Sequence, residues 1–113
     1  MIAISGSVRP MVVALLASAV ILVFDRSAFA QAIGAGELIA KTQCASCHTT
    51  DSNGPMAGSG AVPSFSSIAN TGGTTTTSLE VFLSTPHARM PNYSLSRSEI
   101  SNICAYIMSL RSE

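Results

Sequence analysis

Cys44-Ala45-Ser46-Cys47-His48 decides the fold. The run is C-x-x-C-H, the attachment pattern for a c-type haem. Two thiols three positions apart sit on one turn of helix. They meet one edge of a macrocycle as thioethers, and the next residue offers an imidazole to the iron. Three other readings compete. A redox pair of the thioredoxin kind needs a βαβ pattern, and the sequence shows none. Half of a zinc site needs partners, but the remaining candidates are His87 and Cys104, with no second C-x-x-C and no H-x-x-x-H. A structural disulfide across two residues would close a strained loop of little stabilising value.

The surroundings of the motif bound the rest. The chain has 113 residues, with six basic and six acidic side chains. At roughly 100–200 residues per domain this allows one domain. Charge balance gives no reason to expect nucleic acid, whose phosphates call for excess Lys and Arg. Mean hydropathy is +0.41, yet only 11% of residues are charged, and many apolar residues crowd the first thirty positions. Arg9 precedes an uncharged run, Met11 to Phe24, which is short of the ~20 apolar residues a spanning helix requires. Ala28-Phe29-Ala30 then has the small-x-small form of a signal-peptidase site. Residues 1–30 are therefore read as a secretory signal peptide cut after Ala30, the alternative being a retained anchor. Residues 31–113 are read as the mature domain, with no membrane span. That domain carries four bases and five acids and is close to neutral. It has no Trp, and so small an exported core usually benefits from a covalent or cofactor staple.

Upstream, residues 36–43 read as a helix leading into Cys44. Around these residues the chain resembles the small bacterial class I cytochromes c. Gly36, eight residues before Cys44, matches the small residue that lets the first helix of that family approach an aromatic of the last helix, here Tyr106. Ala40 departs from the family, which often carries an aromatic there. The resemblance implies an all-α fold: three to four short helices and long loops wrapped around one covalently bound haem c. It also implies a second iron ligand far downstream, followed by proline, which Met90-Pro91 matches. The residues favour Met90 independently. It lies between prolines, in a segment unsuited to regular helix. Its thioether suits a haem iron of raised potential, a carrier's ligand. Rivals are Met56, Met108 and His87, and Met90 could instead be a gap-filling core methionine. Val62-Pro63-Ser64-Phe65 resembles the family stretch whose proline carbonyl accepts a hydrogen bond from the proximal histidine, which names Pro63. Phe65 and Ile68 are expected to pack on the porphyrin.

The stretch from Asp51 to Thr77 is rich in Gly, Ser and Thr and reads as a loop around the cofactor. Thr77-Ser78-Leu79-Glu80 has capping-box spacing and predicts a helix through Leu83. Ser96-Arg97-Ser98-Glu99 repeats the signal before a helix over about 97–110. There Ile100, Ile103, Cys104, Ile107 and Leu110 form one apolar stripe. Cys104 belongs to that stripe as a buried, inert thiol, an intermolecular disulfide being its alternative. Arg111 complements the helix dipole.

Together these readings predict a monomeric periplasmic carrier of single electrons between larger redox proteins, not an enzyme. Donors would be dehydrogenases or reductases, and acceptors oxidases or reductases. Ala45, Ala57, Ala61 and Val62 are candidates for an apolar docking rim. The alternatives are a haem sensor or enzyme with an open iron site, and a thiol–disulfide oxidoreductase using Cys44 and Cys47. The carrier could also be a subunit of a larger dehydrogenase or oxidase.

Overall fold

Ser96 opens the best-defined helix of the chain. Its hydroxyl accepts the Glu99 amide at 3.3 Å, and Glu99 Oε2 accepts the Ser96 amide at 2.7 Å. Two donors that a helix start leaves orphaned are thereby satisfied. The Ser96 hydroxyl also donates to Glu99 Oε2 at 2.7 Å, and this bond first, then the Ser96 amide, holds the Glu99 carboxyl below its ordinary range. Helix α4, Arg97–Ser109, follows in the computed structural model, which describes residues 26–52, 62–86 and 90–112. Of the expected stripe, Leu110, at the C-cap, is only partly buried, while Ile100, Ile103, Cys104 and Ile107 are each less than a tenth exposed. Each such side chain contributes about 1.5–3 kcal/mol of burial.

The chain divides into two compact units, residues 1–30 and 31–113. In the first, residues 26–30 are described; they are helical and exposed. The apolar run Met11 to Phe24 lies outside the described residues, as do Met56, Ala57, Ala61 and His87.

In the second unit, α1 covers residues 31–39 and widens into a π-turn at Ala40–Cys44, closed by the Ala45 amide on the Ala40 carbonyl at 3.0 Å. Thr42 lies inside this turn and bonds back to the Leu38 and Ile39 carbonyls at 2.9 and 3.2 Å, a side-chain competitor for the helix ladder. Gly36 faces α4. A Cβ on it would lie 2.0 Å from the Asn102 carbonyl oxygen and 2.9 Å from Tyr106 Cβ. The two helices meet backbone to backbone, and only glycine fits. Ala40, where the family often carries an aromatic, is fully buried.

Helix α2, Phe65–Asn70, lies within the stretch expected to be loop. Six residues are too few to show a helical period. Ser64 caps it, accepting the Ser67 amide at 3.0 Å. Gly73, at φ +84°, turns the chain out of it toward α3. Helix α3, Thr76–Ser84, corrects the expected start. The capping box pairs Thr75 with Ser78, not Thr77 with Glu80: the Ser78 amide donates to Thr75 Oγ1 at 3.1 Å, and Ser78 Oγ accepts the Thr75 amide at 2.9 Å. A hydroxyl here does the work of the expected carboxylate, and the earlier start adds a half-turn while leaving Leu79 buried. Helices α2 and α3 both pack on α4. The described residues contain helices and loops and no strand. Their core gathers Ala40, Cys44, Phe65, Ala69 and Leu79 around the α4 stripe and Tyr106.

Arg111 departs from its expected role as a dipole partner. It bonds to the Ala69 and Thr74 carbonyls, across the fold from its own helix.

Two outcomes follow from this packing. Gly36→Ala forces backbone apart where no rotamer can yield, so the folded protein should lose about 1–3 kcal/mol in denaturant titration. The Cys104 thiol is fully buried, and burial, with the Glu80 carboxylate second, pushes it from 9.0 to about 11. Its folded value is raised, so its contribution to stability is complete below pH 9.0 and lost as pH climbs to about 11. Alkylating reagents at pH 8 should leave Cys104 unlabelled until the chain is unfolded.

Candidate functional site

The turn that ends α1 builds the site. The amides of Cys47 and His48 both bond the Cys44 carbonyl, at 3.1 and 2.9 Å. One tight turn therefore carries both thiols and the imidazole. Cys44 is buried and Cys47 exposed, and none of the three cysteines is in a disulfide. Burial pushes the Cys44 thiol up from its ordinary value. Among the described residues no group of three His, Cys, Asp or Glu side chains gathers to hold a metal, so Cys44 and Cys47 have no zinc-site partners there.

The next two residues anchor the turn. The Thr49 carbonyl accepts the Phe65 amide at 2.9 Å, which ties the turn to the start of α2. The Thr50 carbonyl accepts the Tyr106 hydroxyl at 2.9 Å, which ties it to α4. Burial, with the Glu37 and Asp51 carboxylates nearby, pushes the Tyr106 phenol up and keeps it a donor. Pro63 stands just ahead of α2, and its carbonyl oxygen lies 2.7 Å from His48 Nδ1. A carbonyl only accepts, so Nδ1 carries a proton; in the neutral ring this tautomer leaves the lone pair on Nε2. The Phe65 ring sits 5.4 Å from the His48 ring and 6.5 Å from that of Tyr106, tilted to both. These contacts fix the imidazole from two sides.

His48 faces a cavity of about 470 Å3. It is lined by Ile103 and Ile107 of α4, by Phe65 and Ile68 of α2, and by Leu79, Phe82 and Leu83 of α3. Met90, Tyr93, Leu95 and Cys44 line it as well. Five of the six site residues expected from sequence, Cys44, His48, Pro63, Phe65 and Met90, line this one space; Cys47 lines a smaller adjoining cleft with Cys44, His48 and Met90. Sequence reading missed Tyr93 and Leu95, which lie in an irregular segment without periodicity. It also missed the Tyr106–Thr50 bond, which joins residues far apart in the chain.

The cavity has the size and apolar lining of a cofactor site. A haem c fits its donor set. Cys44 and Cys47 would take the thioethers, His48 would offer an imidazole nitrogen to the iron, and Met90, which lines the same space, would offer a soft thioether. The apolar walls would keep water from the macrocycle, and the Pro63 carbonyl would keep the imidazole in one tautomer. When bound, the group supplies reversible one-electron chemistry at iron.

A family model described as "Cytochrome C oxidase, cbb3-type, subunit III" matches residues 31–107. A protein named cytochrome c-552 from Bradyrhizobium diazoefficiens is 46% identical over 85 residues, covering 75% of this chain and 81% of that protein. No solved structure matches. With the match spanning the motif, the cavity and α4, the chain belongs to the cytochrome c family, as a small class I member carrying one covalently bound haem c.

Proposed function

We propose that this electron carrier works in the periplasm, released from a leader at residues 1–30, and moves one electron at a time between larger redox proteins. Its haem is attached through Cys44 and Cys47, with His48 and Met90 as the two axial ligands. The observation that carries the proposal is the shared cavity: His48, held at Nδ1 by the Pro63 carbonyl, and Met90 line one apolar space. Two protein ligands leave no iron position for a substrate, and this favours relay over catalysis. Methionine opposite histidine raises the potential, in keeping with a carrier.

Electrons would enter and leave at the edge marked by the exposed Cys47. The described residues lining the cleft there, among them Gln43, Ser46, Val62, Pro91 and Tyr93, include no Asp, Glu, Lys or Arg. Docking there would rest on apolar contact and shape, over the small area usual for transient redox encounters. Strong electrostatic steering is not expected of a domain this close to neutral. A second reading has support from the description of the matched family: the chain would serve as the cytochrome subunit of an oxidase. Among the described residues no helix is long and apolar enough to cross a membrane. Co-purification from native membranes separates the two. A stoichiometric oxidase favours the subunit, and recovery of the lone holoprotein from the periplasmic fraction favours the carrier.

The deciding experiment is expression in a host competent for cytochrome maturation. Intact mass should correspond to residues 31–113 plus one haem. The reduced and oxidised spectra should be those of a low-spin c-type haem with a sulfur ligand. A colourless product defeats the proposal. Met90→Ala should keep the haem attached while opening the iron to carbon monoxide. Its potential should fall by a measurable fraction of the ~0.8 V that axial ligands span. An unchanged potential would remove Met90 as ligand, and rapid carbon monoxide binding by the unsubstituted protein would favour a sensor or enzyme. Cys47→Ser should yield little holoprotein.

A further inference from the structure

Arg111 and Ser112, beyond the end of α4, have no part in the function above, yet they hold the far end of α2. Arg111 Nε donates to the Ala69 carbonyl at 2.8 Å, and its Nη2 donates to the Thr74 carbonyl at 2.7 Å. The Ser112 amide and hydroxyl both donate to Asn70 Oδ1, at 3.1 and 2.7 Å. Asn70 in turn donates through Nδ2 to the Ser66 carbonyl at 2.8 Å, inside α2. The clamp therefore grips both the last turn of α2 and the turn leaving it.

A six-residue helix does not persist by itself, because nucleation costs more than so few bonds return. Helix α2 exists because it is held at both ends. At its start the Phe65 amide bonds Thr49, the residue after His48, and Pro63 presents its carbonyl to His48 Nδ1. At its finish stands Arg111. The planar guanidinium spans two carbonyls at once, which an ammonium does not do in a fixed geometry.

We propose that Arg111 is a positioning residue for the His48 imidazole, acting through α2 to hold the Pro63 carbonyl on Nδ1. The proposal rests on His48 as iron ligand. A firm bond at Nδ1 makes the ring a stronger donor and favours the oxidised iron. Loosening α2 weakens that bond, so the potential should rise. The sign is opposite to that expected for loss of Met90, so the two effects are distinguishable.

The test uses the haem-loaded protein and its Arg111→Met and Arg111→Lys variants. In the reduced state, NMR follows exchange of the His48 Nδ1 proton beside that of the Ile103 and Ile107 amides in α4. With Arg111→Met the Nδ1 proton should exchange at least about tenfold faster, the scale set by one charge-assisted hydrogen bond. The α4 amides should change far less, and the potential should shift upward. Arg111→Lys, the milder change, should move both readouts less and in the same direction, and it carries the test if the methionine variant does not accumulate. Should Nδ1 exchange slow or speed only in step with α4, with the potential unmoved, Arg111 merely stabilises the fold and the inference is overturned. If the unsubstituted holoprotein lacks an iron-bound imidazole signature, the ligand assignment itself fails, and this inference with it.

Discussion

The contact between the Pro63 carbonyl and His48 Nδ1 is the bond on which this small protein is organised. It joins the turn that carries the chemistry to a helix that cannot stand alone. Because an acceptor at Nδ1 settles the tautomer, the remaining nitrogen is committed to the cavity. The neighbouring residues extend the arrangement. Thr49 fastens the same turn to the amide of Phe65, and Thr50 fastens it to Tyr106 on α4. Of three successive residues, His48 and Thr49 thus bind the start of α2 and Thr50 binds α4.

Packing and site share their residues. Ile103 and Ile107 are core side chains of α4 and also line the cavity. Phe65 is core to α2 and faces both His48 and Tyr106. A chain of this size has too little apolar mass to build a separate core and a separate site. It spends one set of side chains on both, and the haem of a class I cytochrome c completes the interior they begin. Gly36 serves the same economy: by removing a side chain it lets α1 come against α4.

Much of this was legible in the sequence where a short local rule governs. C-x-x-C-H names its chemistry because the spacing is one turn. The stripe from Ile100 to Ile107 and the Ser96–Glu99 box mark α4 because period and cap agree. Gly36 and Tyr106 were found through family resemblance, and the structure supplies the reason as a backbone approach. Other features depend on partners far along the chain. Helix α2 is too short for periodicity and owes its existence to Thr49 and Arg111. The cap at Thr75 was displaced because a run of threonines offers several starts with the same chemistry, and Ser78 substitutes for a carboxylate. Arg111 gave a plausible local reading, a cation at a helix end, which hid its longer reach. Tyr93 and Leu95 had no pattern to betray them.

The tethers at Thr49 and Thr50 have one more consequence. An electron carrier is fast when its atoms stay still as charge comes and goes, since each displaced dipole adds to the activation barrier. With adjacent carbonyls pinned to separate helices, the backbone beside His48 cannot shift without straining both bonds, and the ring itself is held by Pro63. The surroundings are thereby set before charge arrives, and little nuclear rearrangement is left to slow the exchange.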